Sequence, residues 1–346
     1  MSASLPPDFT GLRVAVAGDV ICDHYLACEP RGLSREAPVM VLRHLEERYG
    51  AGGAANVARN LRALGATTAC LGAVGRDESG RELLELLEGE GIDVRGVVSV
   101  PTWTTPTKTR IIAAEPRRWP QQVLRIDREP AAPPGPAVWR ELAGGLRTLA
   151  GALDALVVSD YGYGAVGDEL AEAVRELSTA GVTVVLDPRR RAEGFEGVAA
   201  LTPNVGELAL LTGCEPTKLT EPRALACAAQ ALLERTRARH VLVTRGNLGM
   251  ALWGAGVPGE GVFVAASGSG NVTDVTGAGD TAAAVFALSL AAGAEPVRAM
   301  QLANAAAGVV VMENGTATCS AAALRAALPL APPPLRAAVG RPGGEA

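Results

Sequence analysis

The chain is expected to fold as a doubly wound α/β protein, a mainly parallel sheet flanked by helices. Three observations predict it. Six or more short runs rich in Val, Leu and Ala alternate with helix-length amphipathic segments, the pattern of βα units whose strands are covered on both faces. Two of the runs leave through an acid, Asp19 after AVAG and Asp160 after LVVS, where ligands of open α/β sheets gather. Two β-branched, polar stretches, at about 24–46 and 98–128, interrupt the rhythm and belong to something outside that sheet.

Taken in order, LRVAVA at 12–17 is a buried strand ending at Gly18-Asp19, with Asp23 close behind; turn and cap chemistry would also suit these two acids. Residues 24–46 form an excursion around Pro30, Gly32 and Pro38, with a short strand VMVL at 39–42. GAGGAANVARNLRALG at 50–65 is a glycine turn opening a helix with Val57, Leu61 and Leu64 on one face. Its G-x-G-x-x-A spacing invites a dinucleotide reading. That fingerprint follows directly on a buried strand, however, and here HLEERY stands between. Close backbone approach to a small polar ligand fits better, with Asn56 offering a donor and an acceptor.

TTACLGAVG at 67–75 is the next strand and RDESGRELLELLEGEG a charged helix ending at Gly89 or Gly91. In 97–127 two alternating segments are expected to pair antiparallel. Period-two geometry puts Lys108, Arg110 and Ile112 on one face of the first, two cations pointing one way; a solvated edge strand guarded by charge explains them equally well. After AAPPGP come a helix at about 137–150, the strand ending at Asp160-Tyr161, a helix at 167–180, and sheet runs at 182–189, 201–213 and 240–253, with a helix reaching about 238. Two last helices are expected at 281–292 and 296–312, the second carrying Asn304 and Gly308. A Pro- and Gly-rich tail from about 331 is expected to be loose.

Composition bounds the partners. With 346 residues and 48% hydrophobic content the chain can bury one large core, read as a single domain over 1–330. The formal charge of -5, from 37 acids against 32 scattered bases, leaves no footprint for nucleic acid or anionic membrane. No apolar run approaches the roughly eighteen residues of a membrane span, and the start shows no basic-then-apolar leader pattern, so a cytoplasmic location is expected. Six cysteines without a C-x-x-C pair, and three histidines, speak against zinc. Lys108 and Lys218 are the only lysines and neither follows a glycine as a Walker loop requires.

The stretch DVTGAGDTAAAVF, 274–286, carries the chemistry. Gly277 and Gly279 can adopt backbone angles closed to other residues, so the amides from Gly277 through Ala278 and Gly279 to Asp280 can converge on one point at a helix start, where the free N–H groups and dipole favour a phosphate. A carboxylate beside that phosphate is repulsive unless it takes part in the reaction, so Asp280 is a candidate proton acceptor for an attacking hydroxyl. A simple helix cap is the alternative.

The pair GAGGAANVARNLRALG and DVTGAGDTAAAVF resembles the two signatures of the ribokinase-like (PfkB) carbohydrate kinases, in that order, and the similarity runs over roughly 12–325. Within that family GDVICDHY, SREAPVMV, TPTKTR, VLRID, SDYGYG, LTPNVGE, VTRGNLGM and ANAAAGVVV are most similar to the D-glycero-D-manno-heptose 7-phosphate kinases, the kinase half of a bifunctional heptose enzyme. The other half would show an H-x-G-H motif, which is absent, so a stand-alone kinase is expected.

The resemblance implies a ribokinase-like sheet with a small β lid over the sugar, built from the two interruptions, and a homodimer through that lid. It implies ATP and Mg²⁺, with Asp280 deprotonating a sugar C1 hydroxyl and the Gly277, Ala278 and Gly279 amides holding the transferring phosphate. Asp19, Asp23, Gly52, Gly53, Asn56 and Asp160 would bind sugar hydroxyls. Asn204 and Glu207, an N-x-x-E, would organise magnesium and its waters unless they only cap a helix. Thr244, Gly246, Asp274 and Asn304 would lie along the nucleotide. Strand geometry, rather than a family signature, offers Lys108, Arg110 and Arg125 as the donors to a substrate phosphate. Two positions depart from the family pattern: Tyr163 stands where a lysine is expected, and Arg189 replaces the lysine after Asp187-Pro188. A kinase of another sugar or a nucleoside, a nicotinamide oxidoreductase and a non-catalytic sugar sensor remain alternatives, although a sensor gains nothing from an acid at a phosphate site.

Overall fold

The computed structural model describes residues 6–114, 121–268, 273–313 and 315–336. Strand β1 (Arg13–Gly18) feeds β2 (Val20–Leu33) and β3 (Met40–Gly53), followed by α1 (Ala54–Ala63), β4 (Thr67–Gly75), α2 (Glu78–Gly89), β5 (Asp93–Val100), β6 (Thr107–Ala113) and β7 (Gln121–Arg128). Then come α3 (Pro136–Leu149), β8 (Ala155–Ser159), α4 (Asp168–Thr179), β9 (Thr183–Asp187), β10 (Ala200–Leu201), α5 (Val205–Thr212), α6 (Pro222–Thr236), β11 (His240–Thr244), β12 (Met250–Gly254) and β13 (Val262–Val264). The long helices α7 (Ala278–Ala291) and α8 (Pro296–Val310), the short α9 (Ala321–Ala327) and β14 (Leu335–Arg336) complete the order.

The large sheet runs β14-β13-β12-β11-β10-β9-β8-β1-β4-β5. It is parallel from β5 to β11 and antiparallel from there to β14. Strand order departs from β1 in both directions, so β1 is the switch point, and the crevice beyond its carboxyl end opens at Asp19. One face is covered by α1, α2, α7, α8 and α9 through residues such as Leu61, Leu83, Phe286 and Leu302. The other is covered by α3 to α6 through Leu142, Val174, Leu208 and Leu232. Helix α7 is apolar nearly all round and buried from Asp280 to Ser289, as expected for a helix between a sheet and two neighbours.

The second sheet, β3-β2-β6-β7, is the expected separate β layer. Its boundaries differ from those read from the sequence. VMVL is not a separate short strand: β3 continues through HLEERY to Gly53, because that segment pairs residue for residue with β2 apart from two bulges. Residues 98–100 belong to the large sheet, where β5 pairs parallel with β4, so this half of the layer begins at Thr107. β6 does pair antiparallel with β7, but it also lies parallel to β2 and is an interior strand, so Lys108 and Arg110 do not guard an edge.

Four further expectations are corrected. The run 201–213 gives only a two-residue strand, because Pro203 and the Asn204 cap turn it into α5. The run 240–253 is two antiparallel strands folded about Gly246 and Gly249, both at positive φ. Helix α7 starts at Ala278 rather than Thr281: Gly277, at φ 81, is its N-cap, so Asp280 lies inside the first turn and is not the cap. Of the tail expected to be loose, Leu335 and Arg336 pair with β13, and 337–346 lies outside the described residues.

Candidate active site

The end of β1 and the starts of α1 and α7 meet at one point. Gly53 sits at φ 56, where a Cβ would stand 2.5 Å from the Asp19 carbonyl oxygen, and the Ala54 amide donates to that oxygen at 3.0 Å. Only glycine lets β3 turn into α1 so close to the end of β1. Gly277 makes the matching turn into α7, and a Cβ there would stand 2.6 Å from Asn56 Nδ2. The two helix starts therefore touch, joined by a hydrogen bond from Asn56 Nδ2 to Asp280 Oδ2 at 2.8 Å. Below, Asn60 ties them again, accepting from the Thr281 hydroxyl at 3.1 Å and donating to the Asn56 carbonyl at 3.0 Å.

Asp280 is 3% exposed. Its other oxygen accepts from the Tyr161 hydroxyl at 2.9 Å. Burial pushes its pKa up to about 6, against the Asn56 and Tyr161 donors; nearby Asp23 adds to the rise and Lys108 opposes it. A carboxyl of that kind is ionised at neutral pH yet basic enough to accept a proton. The amides of Gly279 and Asp280 fall in the first turn of α7, where a helix has no carbonyl of its own for them, while the Ala278 amide reaches the Val275 carbonyl at 3.3 Å.

The lid brings its cations to the same place. Asp23 on β2 is paired with Arg110 on β6, which is 6% exposed. Gly52 packs against Asp23, with a built Cβ 3.0 Å from Oδ2. Lys108 puts its ammonium 5.1 Å from the centre of the Tyr161 ring, and burial lowers its pKa. Further out, a cavity of about 390 Å³ lies between the lid and the core, lined by Tyr25, Arg48, Arg110, Gln122 and Asp274 among others. Asp274, expected along the nucleotide, stands in this cavity beside Arg110. Burial pushes its carboxyl up, but the Thr276 and Gly315 amides and Arg110 outweigh it and hold it below the ordinary range. Arg125 lies across from Arg110 on the exposed edge strand β7 and its charge acts on Lys108, but its guanidinium is already engaged, with two 2.8 Å bonds to Asp127.

Asp19 and Asp160, expected on sugar hydroxyls, hold the loop after β8. Asp19 accepts from the amides of Tyr161 at 2.7 Å, Tyr163 at 3.1 Å and Ala165 at 3.0 Å. Asp160 accepts from Gly162, Arg189 and Arg190. Thus two acids at strand ends shape the floor of the crevice.

A second group lies along the ends of β10 and β11. Asn204 and Glu207 form a reciprocal capping box at 2.9 Å each way, and Asn204 forms a bridge with Thr244. Gly246 opens an exposed turn beyond. Among the described residues no set of three or more metal-binding side chains gathers. Magnesium, which keeps several waters and leans on phosphates, needs only one or two carboxylates, and Glu207 retains one oxygen outside the box. Asn304 on α8 donates to the Ala265 carbonyl at 2.9 Å and Ser267 Oγ at 3.0 Å, holding the segment after β13.

Two residues of the site do not stand out in the sequence as candidates. Tyr161 has only its place after a strand-end acid to mark it. Tyr25 reaches across from β2, its ring 4.0 Å from the Arg48 guanidinium and its hydroxyl accepting from the Thr316 amide at 3.1 Å; nothing in its local sequence signals a partner so distant.

Comparison with known proteins agrees with this geometry. The model of the pfkB family carbohydrate kinases matches residues 12–323. A protein of Alkalilimnicola ehrlichii named bifunctional protein HldE is 40% identical over 333 residues, covering 95% of this chain and 65% of its own length. One of the same name from Azorhizobium caulinodans is 39% identical over 318 residues, 91% of this chain and 64% of its own. The chain thus spans a little under two thirds of these relatives. In fold it is similar to Arabidopsis thaliana ribokinase complexed with ribose and ATP (TM-score 0.67, 21% identity, 94% of this chain and 99% of that one). It is also similar to Escherichia coli phosphofructokinase-2 in complex with fructose-6-phosphate (TM-score 0.72, 20% identity, 92% and 98%). The fold is ribokinase-like, and the chain belongs to the pfkB family of carbohydrate kinases.

Proposed function

We propose that this carbohydrate kinase transfers a phosphoryl group from ATP to the C1 hydroxyl of a heptose 7-phosphate, with Asp280 accepting the hydroxyl proton. The observation that carries the reading is the buried Asp280, raised to a pKa of about 6 at the start of α7 and one helical turn from the Gly277 cap. Phosphoryl transfer depends on positioning and charge stabilisation, and one acid beside a set of helix-start amides provides both. Mg²⁺ would sit by Glu207 and, through water, Asn204, neutralising phosphate charge. Thr244 and Gly246 would flank the nucleotide.

The heptose is favoured by the likeness to heptose 7-phosphate kinases and to proteins named HldE. A substrate phosphate would be met on the inner lid face by Lys108 and Arg110, with Arg125 released from Asp127. A second reading, a kinase of a different sugar, is favoured by one observation: Arg110 and Arg125 are already paired with Asp23 and Asp127. An ATP-consumption screen over sugars, sugar phosphates and nucleosides separates the two. Heptose 7-phosphate as the best substrate supports the first, and a larger kcat/KM on an unphosphorylated sugar the second.

The outer lid face carries Leu124 and Ile126 about half exposed beside Leu26 and Ile111. A second copy's lid would cover this apolar face and give a homodimer. Light scattering at micromolar concentration tests it; a monomer rules it out. No helix among the described residues is long and apolar enough to cross a membrane.

A further inference from the structure

We infer that Tyr161 is the positioning residue for the base: its hydroxyl orients the Asp280 carboxylate and favours its ionised form, and its ring seats the lid's Lys108 over the same point. The inference rests on the reading of Asp280 as proton acceptor.

The tyrosine is placed by the switch point itself. Its amide donates to Asp19 Oδ2 at 2.7 Å, and its hydroxyl reaches Asp280 Oδ1 at 2.9 Å. With Asn56 on Oδ2, each carboxylate oxygen accepts one fixed donor and keeps a further lone pair, so a sugar hydroxyl can be accepted without displacing either. Lys108 approaches the ring at 5.1 Å from the lid and Arg189 at 5.9 Å from the core. The neighbouring Tyr163 does something else, its hydroxyl donating to Glu129 Oε1 at 2.9 Å. One tyrosine of the DYGYG loop thus serves the base and the other ties the loop to the end of β7.

A hydroxyl donor stabilises a carboxylate more than a carboxylic acid. Burial and the Asp280 charge raise the Tyr161 phenol well above its ordinary range, so it stays a donor across the working pH. The charged groups around Asp280 and Tyr161 include Asp23 on β2, Lys108 on β6, Asp187 at the end of β9 and Arg189 just beyond it, and α1 contributes the neutral Asn56. Removing the Tyr161 hydroxyl leaves all of these in place.

The test is the pH dependence of kcat/KM with ATP and the best sugar of the screen, for wild type, Tyr161→Phe, Tyr163→Phe and Asp280→Asn, with thermal melting of each. In Tyr161→Phe the acid limb, near pH 6 in wild type, is expected to move up by about one pH unit. Activity then falls about fivefold at pH 6 and recovers most of it at pH 8.5, with the limb of Tyr163→Phe unmoved. Site-specific replacement of Tyr161 by 3-fluorotyrosine, a stronger donor of similar shape, is expected to move the limb down, and it serves if the phenylalanine variant fails to fold. Three results overturn the inference: an unmoved limb with uniform loss and lower melting, a limb that moves equally in Tyr163→Phe, or a rise in kcat/KM at every pH, which would mean that the hydroxyl occupies the substrate's place. Full turnover in Asp280→Asn removes the base reading and this inference with it. An inactive Asp280→Asn together with an unmoved limb in Tyr161→Phe removes this inference alone.

Discussion

Asn56 and Asp280, 224 positions apart in the chain, are joined by a 2.8 Å hydrogen bond that locks the start of α1 to the start of α7. Both helix starts depend on a glycine at positive φ, Gly53 and Gly277. The contact makes the acid, its donor and the helix-start amides one rigid unit at the carboxyl end of β1.

Gly277→Ala tests that unit. A methyl group there would collide with Asn56 Nδ2 and would also hold a non-glycine residue at φ 81. The strain is expected to cost about 1 to 3 kcal/mol of stability and to displace Asn56 from Asp280, lowering kcat more than the loss of stability alone would explain. Denaturant unfolding and kcat measured together check it. A variant with wild-type stability and turnover would show that the two helix starts are not held at this point.

The raised pKa of Asp280 has a consequence for stability. The folded protein binds this proton more tightly than the unfolded chain, so stability falls as pH rises from about 4 to about 6, and the full cost of the buried charge is present above that. Asp280→Asn removes the charge, and Asn56, whose Oδ1 has no partner, can turn its amide over to satisfy the new one. The variant is expected to be more stable than wild type at pH 8 by on the order of 2 kcal/mol, with the gain shrinking as pH falls from about 6 to about 4. Thermal melts across that range check the sign. An equal difference at both ends would mean that Asp280 does not titrate in this window.

The inner-face cations decide the substrate. Loss of a charge-assisted contact to a substrate phosphate should raise KM by roughly tenfold to a hundredfold and leave kcat less affected, about 1.5 to 3 kcal/mol of binding. Lys108→Ala and Arg110→Ala are to be compared on the phosphorylated and unphosphorylated forms of the best sugar. Arg110→Ala also leaves Asp23 buried without its partner, so the preference between the two sugars is the quantity to read rather than KM alone. If both variants keep the wild-type preference, the phosphate is held elsewhere or the substrate has none.

The parallel core was legible because buried strands such as LRVAVA and ALVVS are continuous apolar runs between helices, and β1, β4 and β8 fall where that pattern puts them. Gly277 and Asp280 were legible because a glycine turn before an apolar helix has few uses. The long β3 was not, since HLEERY lies in a two-sided layer and shows no clean alternation. The pairing of Arg110 with Asp23 depends on the register of β6 against β2, which periodicity does not set. Asp19 and Asp160 were readable as strand-end acids, but which atoms they accept from is decided by the folding of the loop between Tyr161 and Ala165. Tyr161 stayed hidden because its partner lies on α7, 119 positions away.

The most direct measurement is the turnover of Asp280→Asn with ATP and the best sugar, beside the affinity of the same variant for the nucleotide. If Asp280 accepts the hydroxyl proton, kcat falls at least about a hundredfold while nucleotide binding changes little, because the asparagine keeps the shape of the site and loses only the base. Turnover within a few-fold of wild type would contradict it and remove Asp280 from the reaction.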